Sequence, residues 1–315
     1  MSDTAQGGFL RAVKDCASGT VGGIVQVFVG QPFDIVKVRL QTQPIPKIGE
    51  QPKYTGMSDC VRKIRKNEGL RAFYKGTTTP LVGIGACVST QFVVLEFMKR
   101  FFNGVNGNTG APLTNSQLYC AGAIAGTANS IISGPVEHIR TRLQVQVTPT
   151  KVTSPKMAAH PTYSGPIDCI KKIYLSHGIK GIYKGQMITM AREFQGYGAY
   201  FLVYEFLMQR SMVKENKQRH EVQSWKSCMF GAAAGYSMWS SVYPIDVIKS
   251  KLQTDGFNQQ TRQYTSALDC ARKTFSKEGV KGFFRGFGAC MLRAGPVNAA
   301  TFVAFEIAIR LFDRL

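Results

Sequence analysis

The sequence predicts an all-α membrane protein in which six transmembrane helices form three pseudosymmetric repeats, each with a short amphipathic helix between its spans. Three observations predict it. A string of the form Pro-x-acid-x-x-base-x-base-x-Gln begins at Pro32, Pro135 and Pro244, 103 and 109 residues apart. Self-similarity at a long period decides architecture early, because each unit must bury its apolar face against its neighbours. Uncharged runs at 20–30, 76–94, 118–136 and 227–244 recur at repeat-related positions. Finally, 39 Lys and Arg stand against 19 Asp and Glu in 315 residues, a net charge of +20. So basic a chain needs a polyanion, either nucleic acid or an anionic membrane.

The membrane fits better. There is no zinc-ligand spacing and no aromatic-basic string on a strand pattern, so nucleic acid is set aside. A mean hydropathy of −0.07 is low for a spanning protein. Helices that line a polar interior carry charge on one side, however, and charges within spans mark a transport path. The rival reading, buried helices of a soluble α-protein, does not explain why the uncharged runs recur. None of the eight cysteines forms Cys-x-x-Cys, so neither a disulfide framework nor a zinc site is expected. Cys60, Cys169 and Cys270 each follow an aspartate and are equivalent positions rather than partners. Residues 1–10 show neither an arginine-rich presequence nor a secretory apolar core.

The first repeat opens with a helix over about 13–41, in which Gly19 and Gly23 form a small-xxx-small pair suited to close packing. Gly122 with Gly126 and Gly231 with Gly235 repeat it. Pro32, Pro135 and Pro244 each remove a backbone hydrogen bond and bend their helices. A Pro/Gly-rich loop (44–56) leads to a short basic helix over 57–67, which stops at Glu68-Gly69. Tyr74-Lys75-Gly76 then precedes a second span over about 79–102. The later units copy this order with Tyr183-Lys184-Gly185 and Phe284-Arg285-Gly286, except that His177 stands where the other copies have Glu68 and Glu278. The repeats run over 10–104, 114–212 and 224–313, forming one integrated domain, with 145–160 as a long polar insertion expected to be a loose loop. Six spans put both termini on one side. The short helices (Arg62, Lys63, Arg65, Lys66; Lys171, Lys172; Arg272, Lys273) lie on the other, which the positive-inside tendency makes the cytoplasm or its equivalent, the mitochondrial matrix.

The triplicated Pro-x-acid-x-x-base string, each copy followed by an aromatic-base-Gly string, resembles the signature of the mitochondrial carrier family over essentially the whole chain. Gly30-Gln31-Pro32-Phe33-Asp34, Thr79-Pro80-Leu81-Val82-Gly83 and Tyr243-Pro244-Ile245-Asp246-Val247-Ile248-Lys249-Ser250 are most similar to its amino-acid and carnitine branch, which includes fungal Ymc-type carriers. The resemblance implies a monomeric inner-membrane carrier, a threefold barrel of six spans with three short matrix helices. It would alternate between states open to the matrix and to the intermembrane space, where both termini would lie.

The resemblance also implies a matrix gate of three ion pairs between repeats, Asp34 with Arg140, Glu137 with Lys249, and Asp246 with Lys37, braced by Gln41, Gln144 and Gln253. Exposed ion pairs contribute only about 0–1 kcal/mol each, a strength that substrate binding can offset. A cytoplasmic gate should be weaker. Its copies are Leu95-Glu96 with Lys99, Tyr204-Glu205 with Met208, and Phe305-Glu306 with Ile309, so only one base remains, for a Lys99–Glu205 pair braced by Tyr204.

Thirteen residues before Glu96, Glu205 and Glu306 stand Gly83, Arg192 and Arg293, which are similar to the family's substrate contact points. Arg192-Glu193 resembles a pair that accompanies amino-acid-type substrates. The guanidinium would grip a carboxylate by paired hydrogen bonds and Glu193 would take an ammonium. An internal Arg192–Glu193 or Glu193–Arg293 bridge is the structural alternative. Ornithine-type members carry a carboxylate where this chain has Cys87, which favours a neutral or acidic zwitterion or carnitine, and the glycines around Gly83 are expected to leave room for a bulky substituent. Trp239 is a candidate for either cavity or packing. The helix N-termini after Gly76, Gly185 and Gly286 suit phosphate, and the resemblance implies bound cardiolipin there. No cofactor, metal or catalytic constellation is expected: four histidines show no ligand spacing, and Gly19 to Gly23 lacks the Gly-Lys-Ser/Thr ending of a phosphate loop. Two rivals stand beside exchange: an uncoupler-like leak and a non-transporting scaffold.

Overall fold

A computed structural model describes residues 2–44, 51–107, 113–146, 162–216, 218, 221–258 and 260–313. Most of the 145–160 insertion and the side chain of Glu306 lie outside the described residues. Among those described, the chain is helical throughout. Long helices α1 (Ser2–Thr42), α3 (Thr78–Val105), α4 (Asn115–Val145), α6 (Gln186–Glu215), α7 (Ser224–Thr254) and α9 (Phe287–Asp313) alternate in pairs with short helices α2 (Met57–Glu68), α5 (Pro166–Ile182) and α8 (Ala267–Glu278).

The threefold pattern extends to individual hydrogen bonds. Asp59, Asp168 and Asp269, in the first turns of the short helices, accept from the N–H groups of Thr55, Ser164 and Thr265 at 3.1, 2.9 and 2.9 Å. Each also pairs one turn on with Lys63, Lys172 or Lys273 at 2.8–2.9 Å. Carboxylates belong at helix N-termini, where unpaired N–H groups and the macrodipole favour negative charge. The chain then turns sharply at Gly69, Gly178 and Gly279, whose φ values of 78°, 61° and 62° are open to glycine at little cost.

Beneath the short helices lie small apolar cores. Ile35, Leu40, Tyr54, Cys60 and Ile64 pack together in the first repeat; Ile139, Leu143, Tyr163, Cys169 and Ile173 repeat the arrangement in the second. Cys60, Cys169 and Cys270 are free thiols with no exposed surface. Burial pushes the first two up to about 12 and the third to about 11. Only the thiolate is nucleophilic. All three are therefore expected to escape alkylation by N-ethylmaleimide at pH 8 in folded protein and to react after denaturation, as mass spectrometry of the adducts would report.

Pro32, Pro135 and Pro244 lie inside α1, α4 and α7, which touch one another pairwise. The outer seams are unequal. α4 and α6 pack along their lengths, as do α1 with α9, α3 with α4 and α6 with α7, while α1 and α3, and α7 and α9, barely meet. The predicted small-residue pairs divide accordingly. A Cβ on Gly122 or Gly126 would lie 2.6 Å from a carbonyl oxygen of α6, that of Tyr197 or Glu193. One on Gly23 or Gly235 would meet no described atom within 4 Å. Among the described glycines of these pairs, close packing occurs in the second repeat, where the two long helices of a repeat run together.

Hydropathy finds far fewer spans than six. One described helix segment, Thr20–Thr42, is long and apolar enough to cross a membrane, or two if the bent pair Leu70–Gly83 with Gly85–Val105 counts as one span. The physical reason is charge on the inward sides of the long helices, which carry the residues described next.

Candidate functional site

Two residues after each proline stands a carboxylate, and the three meet bases where α1, α4 and α7 touch one another. Arg140 Nη2 lies 2.7 Å from Asp34 Oδ2, Lys37 Nζ 2.8 Å from Asp246 Oδ2, and Lys249 pairs with Glu137. The three pairs expected from the sequence close a ring, each joining two repeats. Of the glutamines, Gln41 donates to Asp246 Oδ2 at 3.0 Å. Gln144 and Gln253 are buried, and their bonds among the described residues go elsewhere: the Gln144 main-chain carbonyl accepts from Arg39 at 3.2 Å, and the Gln253 amide donates to Thr189 at 3.3 Å. A residue that sequence reasoning missed takes a bracing position. Gln31 accepts from Arg140 Nη2 and donates to the Lys75 carbonyl, both at 2.7 Å. Its place directly before Pro32 was the available signal. Trp239 lies under the ring, with Lys37 Nζ 4.1 Å from its ring centroid.

The arginines of the candidate substrate site reach the same ring. Arg192 Nη2 lies 3.1 and 3.3 Å from the two oxygens of Glu137 and also pairs with its neighbour Glu193. Arg293 Nε lies 3.3 Å from Asp34 Oδ1. Glu137 therefore bridges Arg192 and Lys249, and Asp34 bridges Arg293 and Arg140. The third carboxylate, Asp246, pairs with Lys37 and with no arginine among the described residues, and Gly83, the remaining contact position, faces Val136 beside Glu137. Arg192 and Glu193 are 4% and 2% exposed, and Arg192 Nε and Glu193 Oε2 have no hydrogen-bond partner among the described residues. Unpaired polar atoms so deeply buried cost stability unless something else satisfies them.

Gly83 does not leave the expected room. A Cβ there would lie 3.0 Å from Val136 Cγ1, so the valine already occupies the space. Gly85 does leave room, with no described atom within 4 Å of a Cβ at that position. Cys87 is half-buried and within electrostatic reach of Glu137 and Glu193. At the opposite end of the helices, Lys99 Nζ lies 2.9 Å from Glu205 Oε1 and 3.6 Å from Glu96 Oε1, and the Tyr204 ring lies parallel to that of Tyr200 at 6.2 Å. No group of three or more metal-ligating side chains occurs among the described residues.

The family model described as "Mitochondrial carrier protein" matches the sequence three times, over residues 9–106, 111–215 and 220–314. The chain is 48% identical over 302 residues to the Glutamate/glycine mitochondrial carrier ymc1 of Schizosaccharomyces pombe, covering 96% of this chain and 95% of that protein. It is 46% identical over 303 residues to the Mitochondrial glycine transporter YMC1 of Saccharomyces cerevisiae, covering 96% and 92%. It is 40% identical over 299 residues to the Mitochondrial carnitine/acylcarnitine carrier-like protein of Arabidopsis thaliana, covering 94% and 97%.

Proposed function

The chain belongs to the mitochondrial carrier protein family, and from that membership we propose that it exchanges small amino-acid-like zwitterions, glycine or glutamate foremost, across the inner membrane by alternating access. On this reading the six long helices cross the bilayer, the short basic helices face the matrix, and both termini face the intermembrane space. Support comes from large apolar side chains left exposed on those helices, such as Phe92, Phe97 and Phe101 on α3 and Val303, Ile307 and Leu311 on α9. So much contiguous apolar surface needs lipid or a partner. Anionic lipid is assigned to the helix N-termini after Gly76, Gly185 and Gly286. The carrier acts as a monomer and without a cofactor.

The observation that carries the proposal is the sharing of Glu137 and Asp34 between gate and site. A substrate carboxylate that takes Arg192 leaves Glu137 with Lys249 alone, and a substrate ammonium offers Glu193 a new partner. Either event loosens the ring that closes the matrix side. The magnitudes agree. The three pairs are largely buried, so the cost of desolvating the charges offsets much of their attraction, and the net lock can fall within the roughly 4–8 kcal/mol that millimolar to micromolar binding supplies. Val136 against Gly83 favours a small substrate over an acylcarnitine, and the absence of a carboxylate at Cys87 opposes a dibasic one.

Purified protein in liposomes preloaded with glycine tests this. Labelled glycine or glutamate should exchange without current, and carnitine and ornithine should compete weakly. Stronger competition by carnitine favours the carnitine reading, current without exchange a leak, and no flux at all a scaffold. The two gates should also differ. Lys99→Gln removes the Glu205 pair and the longer Glu96 pair from the outer end, whereas Lys37→Gln breaks one side of a three-sided ring and leaves the buried Asp246 with Gln41 in place of its cation. Exchange should fall several-fold more for Lys37→Gln, and equal losses would refute the asymmetry.

A further inference from the structure

Behind the gate, the second base of each signature faces the base of the following aromatic-base-Gly string. In the first repeat Glu68 holds both, with Arg39 Nη2 at 3.0 Å and Lys75 Nζ at 2.7 Å. In the third, Glu278 holds Lys251 at 2.9 Å and Arg285 at 2.8 Å. These carboxylates are 4% and 2% exposed, and each tie stays within one repeat. In the second repeat the acid position is His177, so Arg142 and Lys184 have no such carboxylate.

Their partners come instead from the third repeat, in the loop between α7 and α8. The Asp255 carbonyl accepts from Arg142 at 2.8 Å and from Lys184 at 2.7 Å, and the Gly256 carbonyl accepts from Lys184 at 2.7 Å. Phe257 fills the remaining space. Its ring centroid lies 4.2 Å from the Arg142 guanidinium carbon and 4.6 Å from Lys184 Nζ, and the His177 ring stacks on it at 4.3 Å. The loop also brings a charge that its equivalents lack. Tyr54 N–H donates to Gln43 and Tyr163 N–H to Gln146, but Tyr264 N–H donates to Asp255. The carboxylate missing inside the second repeat thus has a counterpart across the repeat boundary.

We infer that Phe257, with the Asp255 and Gly256 carbonyls, forms a second matrix-side latch between the second and third repeats, which must release before the cavity opens to the matrix. The inference rests on the carrier reading. At the first corner Arg39 and Lys75 also reach the Gln144 and Gln146 carbonyls of the second repeat, at 3.2 and 3.1 Å, but Glu68 balances their charge inside their own repeat. At the third corner Glu278 does the same for Lys251 and Arg285. Here no carboxylate of the second repeat balances the two bases, and Phe257 adds its contact with the Arg142 guanidinium to the main-chain ties across the boundary. Cation–π contacts at partly buried sites have enough strength to matter. The groups facing Lys184 are Arg142 and His138 from α4, His177 from α5, and Asp255 and Arg262 from the loop. Burial, then Arg142, holds Lys184 down to about 8, whereas a lysine released to water returns to about 10.4. Over that interval the open form binds a proton that the closed form lacks, so rising pH favours closure. Between pH 7 and pH 9 the shift in the open-to-closed ratio is up to about tenfold.

The test uses the full-length protein in liposomes, with spin labels on cysteines placed at the exposed positions Leu175 and Leu268 and other reactive thiols replaced by serine. Phe257→Leu should enlarge the long-distance population several-fold, while a Leu70–Leu175 control pair stays unchanged. The wild-type population should shrink from pH 7 to pH 9, and Lys184→Arg should abolish that shift. Should Phe257→Leu fail to fold, His177→Glu serves: an in-repeat carboxylate for Arg142 and Lys184 should also enlarge the open population. Distances that move with added glycine but ignore these substitutions overturn the latch alone, as do equal changes at both corners. Distances fixed under every condition overturn the carrier reading and the latch with it.

Discussion

Arg192→Ala is expected to abolish exchange, and Arg192→Lys to lower it about 10–100-fold in a protein that still folds. The guanidinium is the one group that touches Glu137 and Glu193 together. Without it Glu193, 2% exposed, keeps only Ser133 Oγ at 3.5 Å, and breaking a buried charge pair costs about 3–5 kcal/mol. The alanine variant therefore tests stability and transport at once, and the lysine variant separates them. Lysine keeps the charge but loses the planar fork that grips a carboxylate by two parallel bonds. Losing one charge-assisted hydrogen bond costs about 1.5–3 kcal/mol, and each 1.4 kcal/mol is tenfold. Helix content by circular dichroism should match the wild type for Arg192→Lys while labelled glycine uptake falls. Unimpaired uptake would remove Arg192 from the site and leave it as a structural bridge.

The ring of ion pairs was legible in the sequence because its information is local. Proline, acid and base at fixed offsets place Asp34, Glu137 and Asp246 at one depth in three related helices, and repetition removes the ambiguity a single copy would carry. What failed to read through depends on tertiary approach. Nothing in the spacing says that Arg293 reaches Asp34 or that Arg192 reaches Glu137, because those contacts cross between helices far apart in sequence. Gly23 and Gly235 match the pattern of Gly126 but lack its neighbour, since the helices of the first and third repeats diverge where those of the second pack. Gln31 escaped notice for the converse reason. It precedes the repeated string, and its role rests on hydrogen bonds to Lys75 and Arg140, which are distant in sequence. The room expected at Gly83 disappeared into Val136, a side chain contributed by α4. Hydropathy marks one or two of the long helices as apolar enough to cross a membrane, because charged residues on one side of a helix lower the mean of the whole.

Reversing one member of the Asp34–Arg140 pair should stop exchange, and reversing both should restore only part of it. Asp34→Arg alone would bring three cations together, since Arg140 and Arg293 already flank that carboxylate. Arg140→Asp alone would oppose two carboxylates and take the donor from Gln31. Each single variant should lose at least about 100-fold in glycine exchange, corresponding to about 2.7 kcal/mol or more of misplaced charge. The double variant recreates an attractive pair but sets its cation beside Arg293, so recovery should stop short of wild type. Adding Arg293→Gln should then relieve the helix-end repulsion while removing a site arginine. Matrix-side closure, read from labels at Leu70 and Leu175, should return even as exchange stays low. That separation of closure from transport is what a shared carboxylate demands. A double variant with no recovery of either quantity would mean that Asp34 and Arg140 do not act on one another, and the ring would cease to be the gate.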